Sequence, residues 1–231
     1  MKKILFLLII FILVFLIYIL NVDKKIYYLA LGDDIAIGRT SNGNIIASYT
    51  SSLNNYLIEN NYYEKDITAF INFGYRTTDL LNDIINNKKL NIDNKDIAIK
   101  HAIIKADIIT VSIGQNDFLN YLDDYDLLRQ NIIKLRIDMD NLLKELRSIS
   151  KEPIILIGIY NSKINDLNIY KVLLELNSLY ENTAKKYNIT YLNIFREISN
   201  SKYIDGLYPN ELGYNIISDK LLNTIENDIL K

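Results

Sequence analysis

Carboxylate, amide and phenol side chains follow several apolar segments of the chain. Asp33 and Asp34 come directly after the first such segment, and Asn116 follows the third. Asp205 and Tyr208 come after the fifth, just before the last amphipathic segment. Carboxylates and amides held together can bind a hard cation or position donors around a developing negative charge. A phenol is a poor base at neutral pH, because free tyrosine titrates near pH ~10.

Five short apolar segments predict the β-strands that carry these residues. Each segment is nearly continuous in apolar residues, which is typical of a parallel sheet covered on both faces. The predicted strands are Ile26–Leu31, Ile67–Phe73, Asp107–Ile113, Ile154–Tyr160 and Thr190–Phe195.

Longer amphipathic segments alternate with these strands and predict helices. The alternation indicates right-handed crossovers and a three-layer α/β/α sandwich with a five-stranded parallel sheet. The mostly polar residues 87–95 predict a surface loop. The predicted helices are Ile45–Glu59, Thr77–Asn86, Asp96–Lys105, Leu127–Ser150, Asn168–Tyr187 and Glu211–Leu230.

The polar residues that end the strands are expected to meet at one place. In open α/β sheets, ligands bind at the carboxyl ends of the strands. Asp34, Gly74 and Asn116 follow the first three strands. Asp205 and Tyr208 follow the last one. These five residues are therefore the candidate site.

The same residues fall into four ordered blocks that resemble the motifs of the SGNH/GDSL hydrolases. Any one block alone is a common turn, but the four in order are specific. The resemblance covers most of residues 26–228 and implies the flavodoxin-like SGNH hydrolase fold. The blocks are Leu31-Gly-Asp-Asp-Ile-Ala-Ile-Gly38, Asn72-Phe-Gly74, Ile113-Gly-Gln-Asn-Asp117 and Asp205-Gly-Leu-Tyr-Pro-Asn210, followed by Gly213-Tyr214.

The resemblance also implies a role for each candidate residue. In the family, the first block reads Gly-Asp-Ser and its Ser is the nucleophile, whereas the last block reads Asp-x-x-His and its His is the base. Here the Ser position holds Asp34 and the His position holds Tyr208. Gly74 and Asn116 take the positions of oxyanion-hole donors, and Asp205 that of the residue that orients the base. Both residues that carry the chemistry are replaced.

We predict that Asp34 itself fills the oxyanion hole. The N–H groups of Asp34 and Gly74 and the Asn116 amide would stabilise its charge, and Tyr208 could donate a further hydrogen bond. Asp34 is not a substitute nucleophile, because a carboxylate that attacked an ester would form a mixed anhydride. His101 is the only histidine. It lies in a helical segment before the third strand, so we expect it on the opposite, amino edge of the sheet.

The beginning of the chain predicts a membrane anchor. The run from Ile4 to Leu20 carries no charge, and at about 1.5 Å per residue it just spans a thin hydrocarbon layer. No small-x-small cleavage site follows it, which favours an uncleaved anchor over a signal peptide. Lys2 and Lys3 precede the run and place the N-terminus in the cytoplasm. Residues 1–25 are then a single-pass anchor with its short flank, and residues 26–231 an extracytoplasmic SGNH/GDSL hydrolase-like domain.

Composition narrows the classes of function. The net charge is −2, and no basic run with interleaved aromatic residues is present, which argues against nucleic acid as a partner. The chain has no cysteine, which excludes disulfides, thiolate metal sites and cysteine nucleophiles. No cofactor is predicted. No feature of the sequence defines the oligomeric state.

Three functions are compatible with these observations. The favoured one is a catalytically degenerate acylhydrolase, a pseudoenzyme held in the cell membrane that binds an acylated glycan or lipid of the envelope, or a protein partner. The second is an active esterase or lipase of the same family. The third is a metal-dependent hydrolase in which Asp33, Asp34 and Asp205 hold Mg²⁺ or Ca²⁺. The third is the weaker hypothesis, because Asp33 and Asp117 are expected to fasten loops.

Overall fold

The computed structural model describes residues 25–163 and 165–230 of the chain. The predicted anchor at Ile4–Leu20 lies outside the described residues. Among the helices that are described, none is long and apolar enough to cross a membrane.

Strands and helices alternate along the described chain, as the sequence predicts. A short 3₁₀ turn at Leu119–Tyr121 follows the fifth helix. In chain order the elements are β1 (Ile26–Gly32), α1 (Asp34–Ile37), α2 (Tyr49–Glu59), β2 (Tyr63–Ile67), α3 (Thr77–Ile85), β3 (Lys89–Ile92), β4 (Lys95–Ala98), α4 (Ile99–Lys105), β5 (Ile108–Ser112), α5 (Gln115–Phe118), α6 (Tyr125–Ile149), β6 (Ile154–Ile157), α7 (Leu167–Lys186), β7 (Thr190–Leu192), α8 (Phe195–Ile198), β8 (Ile204–Asp205), β9 (Tyr208–Pro209) and α9 (Glu211–Asp228).

The centre of the domain is a five-stranded parallel sheet in the order β2-β1-β5-β6-β7. Side chains of β1 alternate between its two faces, so that Leu29 and Leu31 join one core cluster while Tyr28 and Ala30 join the other. Helices α3, α4, α6 and α7 cover the first face, and α1, α2 and α9 cover the second. The predicted α/β/α sandwich with a five-stranded parallel sheet is confirmed.

The second strand lies earlier in the chain than predicted. The prediction placed it at Ile67–Phe73, whereas β2 is Tyr63–Ile67. As an edge strand it pairs only with β1, so its side chains are partly exposed and its sequence is polar. The apolar residues that follow turn past the end of β1, where Ile71 forms an isolated bridge with Gly32 and Phe70 is buried.

The segment predicted as a surface loop at residues 87–95 forms most of a β-hairpin. β3 pairs antiparallel with β4, and the two residues between them, Asp93 and Asn94, have φ values of 52° and 60°. Asp and Asn tolerate positive φ, which two-residue hairpin turns require at both central positions. The helix predicted at Asp96–Lys105 therefore begins only at Ile99.

Candidate functional site

The end of β1 holds the site against β5 through a close backbone approach. Gly32 has φ 145°, and a Cβ there would lie 2.1 Å from the Ser112 carbonyl oxygen, so only glycine fits. Asp33 caps α1 by accepting from the Ile35 N–H at 3.1 Å, and it also accepts from Ser112 Oγ at 3.2 Å. Asp33 therefore fastens the turn, and Asp34 becomes the first residue of α1.

The Asp34 carboxylate is buried and surrounded by donors. Its Oδ2 accepts from the Gly74 N–H at 2.7 Å and from Asn116 Nδ2 at 2.9 Å. Its Oδ1 accepts from Arg39 Nη1 at 2.7 Å, and the Asp34 side chain is only 2% exposed. The structure thus brings Asp34, Gly74 and Asn116 together, with a carboxylate oxygen between the two donors that the family resemblance assigns to an oxyanion.

Backbone conformation and a second hydrogen bond fix the two donors. Gly74 has φ 70°, a left-handed conformation that aims its N–H at Asp34 and that side chains disfavour. Asn116 Nδ2 donates at 3.0 Å to the Tyr75 carbonyl as well as to Asp34. The donors are therefore held in place before any ligand binds.

Arg39 is a member of the site that the sequence does not indicate. Gly38 ends α1 in a left-handed conformation and turns the chain back, so that Arg39 reaches the start of the same helix. The guanidinium lies 5.3 Å from the centre of the Phe73 ring and 5.5 Å from that of Tyr208, an arrangement that favours cation–π attraction. The one signal in the sequence for such a partner is the acidic residue at position 34.

Tyr208 lies next to Asp34 but makes at most a weak hydrogen bond with it. The Tyr208 Oη is 3.5 Å from Asp34 Oδ1, at the limit of hydrogen-bond distance. Burial and the charge of Asp34 raise the pKa of Tyr208, and the opposing effect of Arg39 does not cancel this. The phenol therefore keeps its proton at neutral pH and cannot act as a general base.

The structure brings the Asp205 backbone to the site but leaves its side chain exposed. The Asp205 carbonyl accepts a hydrogen bond from Ser41 Oγ, and Asp205 pairs with Tyr208 in the small β8–β9 ladder. Within the described part of the chain, no hydrogen bond joins the Asp205 carboxylate to Tyr208. The orienting role that the family resemblance assigns to this position has no counterpart in the geometry.

The two adjacent carboxyl groups respond oppositely to their surroundings. Burial alone would raise the pKa of Asp34, but hydrogen bonds from Arg39, Asn116 and Gly74 outweigh it and lower the pKa below its usual value. Burial raises the pKa of Asp33 well above its usual value, and the neighbouring Asp34 charge raises it further. Asp34 is therefore the more acidic carboxyl group of the pair, and Asp33 is the one that more readily keeps its proton.

The remaining carboxylates do not assemble a cation site. Asp117 is turned toward α3, where it accepts from the N–H and the Oγ1 of Thr77, both at 2.9 Å. Asp33 is committed to the α1 cap, and Asp34 to Arg39. In residues 25–163 and 165–230, no group of three His, Cys, Asp or Glu side chains is placed to hold a metal ion. His101 is exposed on α4, the helix that leads into the amino end of β5.

Known proteins share this architecture. The model of the GDSL-like lipase/acylhydrolase family matches residues 27–221. A lipase from a goat rumen metagenome superposes with a TM-score of 0.71 at 20% identity, over 86% of this chain and 97% of its own. The lipase/acylhydrolase from Enterococcus faecalis gives 0.60 at 16% identity, over 87% and 96%.

The acetylxylan esterase from Geobacillus stearothermophilus superposes with a TM-score of 0.64 at 15% identity, over 89% of this chain and 96% of its own. No curated protein matches the chain. The solved structures share the fold, and the family model covers most of the sequence. The chain belongs to the GDSL-like lipase/acylhydrolase family.

Proposed function

We propose that this chain is a membrane-anchored, extracytoplasmic member of the family that has lost acyl-transfer chemistry and binds an acylated glycan or lipid of the cell envelope. The observation that carries the proposal is the Asp34 carboxylate, which accepts hydrogen bonds from Gly74, Asn116 and Arg39 at 2.7–2.9 Å. The site therefore already contains the negative charge that an acylhydrolase stabilises only during the reaction.

The environment of Asp34 opposes nucleophilic attack. A nucleophile needs a free electron pair and gains reactivity from a nearby base. Both oxygens of Asp34 already accept short hydrogen bonds, and its charge is compensated by Arg39. An ester carbonyl would also have to place its oxygen where Oδ2 now lies, between the Gly74 N–H and the Asn116 amide. The Gly74 N–H and the Asn116 amide therefore cannot stabilise an oxyanion while they bind the Asp34 carboxylate.

Neither Tyr208 nor His101 supplies a base. Tyr208 takes the position of the family's histidine and retains its proton. The only histidine of the chain, His101, is on a helix that leads to the opposite edge of the sheet. Loss of both nucleophile and base typically removes several orders of magnitude of rate. These features support a binding role over the active esterase or lipase.

The proposed class of ligand is taken from the names of the similar proteins. One is named an acetylxylan esterase and two are named as lipases. An ester of a glycan or a lipid is therefore the chemistry for which this scaffold is used elsewhere, and we transfer that class to the present site as part of the proposal. Anchoring by Ile4–Leu20 places such a ligand outside the cytoplasm.

Ester hydrolysis by the purified full-length chain in detergent tests the proposal. We expect no turnover of p-nitrophenyl acetate or butyrate above that of a heat-denatured sample. His101→Ala is the matched control, because it removes the only imidazole without touching the candidate site. A rate that exceeds the blank and persists in His101→Ala would show an active site of unconventional composition and would refute the loss of chemistry.

A further inference from the structure

The chain enters its domain at the edge of the sheet opposite the candidate site. β1 begins at Ile26 on the amino edge and ends at Gly32, two positions before Asp34. Lys25 is fastened to the amino edge, because its Nζ donates to the Asn61 carbonyl at 2.7 Å and to Asn61 Oδ1 at 2.8 Å. A tether that precedes Lys25 is therefore joined to the amino edge.

The tether is too short for the carboxyl edge of the sheet to face the bilayer. From Leu20, the last residue of the apolar run, to Lys25 there are five residue steps, which reach at most about 18 Å when fully extended. From Lys25 to Gly32 the chain rises about 23 Å at the spacing of a parallel strand. If the carboxyl edge faced the bilayer, the amino edge would stand at least that far above the surface. The tether could not bridge the gap.

We propose that the candidate site faces away from the membrane that anchors the chain, and that its ligand is an acylated glycan of the envelope rather than a lipid of that membrane. The inference rests on the proposed anchor and chooses between the two ligand classes left open above. A lipid in the same bilayer would have to leave the hydrocarbon layer and travel the length of β1 to reach Asp34. A polymer outside the membrane meets the site directly.

The surface around Asp34 suits a sugar ring. Phe73 is 55% exposed and Leu207 is 41% exposed. The Arg39 guanidinium lies 5.3 Å from the centre of the Phe73 ring and 5.5 Å from that of the Tyr208 ring, with its charge compensated by Asp34. Aromatic faces pack against the apolar face of a pyranose, while a guanidinium and a phenol offer donors to its hydroxyl and acyl oxygens. A neutral, acylated saccharide matches this combination.

The orientation can be measured with single cysteines, because the chain contains none of its own. Lys151→Cys places a thiol beside the amino end of β6, and Leu207→Cys places one at the carboxyl edge; both positions are exposed. The full-length chain is reconstituted in phosphatidylcholine/phosphatidylglycerol vesicles that carry a headgroup acceptor dye. Flotation with the vesicles first establishes that the chain is anchored, and energy transfer is then measured from a donor dye on each thiol.

We expect transfer from position 151 to exceed that from position 207 at least about twofold, because the two edges differ by roughly the length of β1. Equal transfer, or stronger transfer from position 207, would overturn the inference while leaving the anchor intact. A chain that does not float with the vesicles would overturn both the anchor and the inference. Esterase activity, in contrast, would refute the loss of chemistry without affecting the orientation.

The choice of ligand is tested on the same reconstituted protein. Vesicles are mixed with insoluble peptidoglycan, either native or treated with mild alkali to remove ester-linked acyl groups. We expect the wild-type chain to co-sediment with the native polymer, and alkali treatment or the Phe73→Ala substitution to reduce this several-fold. An acylated-glycan ligand would be contradicted by any of three results. These are no binding, binding that neither alkali treatment nor Phe73→Ala reduces, and binding that added detergent-dispersed lipid abolishes.

Discussion

Four donors approach the two carboxylate oxygens of Asp34, and only two of them belong to the oxyanion hole that the family motifs imply. Gly74 and Asn116 supply those two, whereas Arg39 and, more weakly, Tyr208 bind the other oxygen. A serine at this position would leave the hole open for a substrate oxygen. The carboxylate closes it and recruits a counter-ion, so a single substitution changes both the occupancy and the charge of the site.

We predict that the Asp34 charge contributes to the stability of the fold. In Asp34→Asn, the Arg39 guanidinium loses its anionic partner, so we expect the free energy of unfolding to fall by about 1.5–3 kcal/mol, the range for hydrogen bonds to charged groups. Urea denaturation measures the change. Asp123→Asn is the control, because this side chain is 88% exposed and its pair with Lys163 should contribute less than about 1 kcal/mol. An unchanged or more stable Asp34→Asn variant would contradict the role of the carboxylate.

Asp33 should make the folded chain less stable as pH rises. Because burial raises its pKa, the folded chain keeps a proton that the unfolded chain releases above about pH 4. The folded state binds more protons, so stability falls as pH rises from that value to the folded-state pKa. Asp33→Asn removes this titration, and we expect its free energy of unfolding to fall less between about pH 5 and about pH 8 than that of the wild type.

Urea denaturation of the wild type and of Asp33→Asn at both pH values measures how steeply the free energy of unfolding falls with pH in each chain. The lowered pKa of Asp34 acts with the opposite sign: its stabilisation is complete above about pH 4 and is lost only as pH falls through the folded-state pKa. Asp34 therefore contributes almost nothing to the slope in the higher range. Parallel slopes for the wild type and Asp33→Asn would show that Asp33 is ionised in the folded chain.

At the scale of elements, short helices at the strand ends place the polar residues. α1 and α5 each begin within three residues of a strand, and they present Asp34 and Asn116 on the same edge. α5 is connected to α3 through its residue Asp117, which accepts hydrogen bonds from the N–H and the Oγ1 of Thr77. This contact links the segment that carries Asn116 to the helix that follows Gly74.

We predict that Asp117→Ala destabilises the domain by about 2–4 kcal/mol, because it leaves two buried Thr77 donors without a partner. Thermal or urea unfolding measures the loss. Asp219→Ala on the exposed face of α9 serves as the matched control and should change stability by less than about 0.5 kcal/mol. If the two variants were equally stable, the link between α3 and α5 would not contribute to the fold.

The pattern of correct and incorrect sequence predictions has a physical cause. Interior strands such as β1, β5 and β6 are covered on both faces and read as continuous apolar runs, so their positions are predictable. The edge strand β2 and the β3–β4 hairpin are partly exposed, and their polar sequences conceal them. The edge of the sheet on which Asp34, Gly74 and Asn116 meet follows from topology.

The hydrophobic pattern of the sequence does not predict contacts that depend on the geometry of turns. Arg39 meets Asp34 only because Gly38 reverses the chain after a one-turn helix. The spacing between Asp205 and Tyr208 fits the Asp–His dyad of the family, yet the β8–β9 turn leaves the Asp205 carboxylate exposed to solvent. In both cases the decisive quantity is the direction of a side chain at a turn, which neither periodicity nor composition encodes.

Across the domain, we propose separate roles for the two edges of the sheet. The amino edge receives the proposed tether through Lys25, and the carboxyl edge carries the candidate site. The chain has the fold of the family, and the proposed loss of chemistry rests on Asp34 and Tyr208 at the positions that the family resemblance assigns to nucleophile and base. The scaffold should therefore regain reactivity when those positions are restored.

A fluorophosphonate probe, which forms a covalent adduct with an activated serine, reports whether the site contains a working nucleophile. The wild-type chain and the double variant Asp34→Ser, Tyr208→His are incubated with the probe, and intact-mass spectrometry counts the adducts. We predict no adduct on the wild type and a single adduct at position 34 of the double variant. An adduct on the wild-type chain would contradict the proposed loss of chemistry, because it would reveal a working nucleophile in a site that is closed by its own carboxylate.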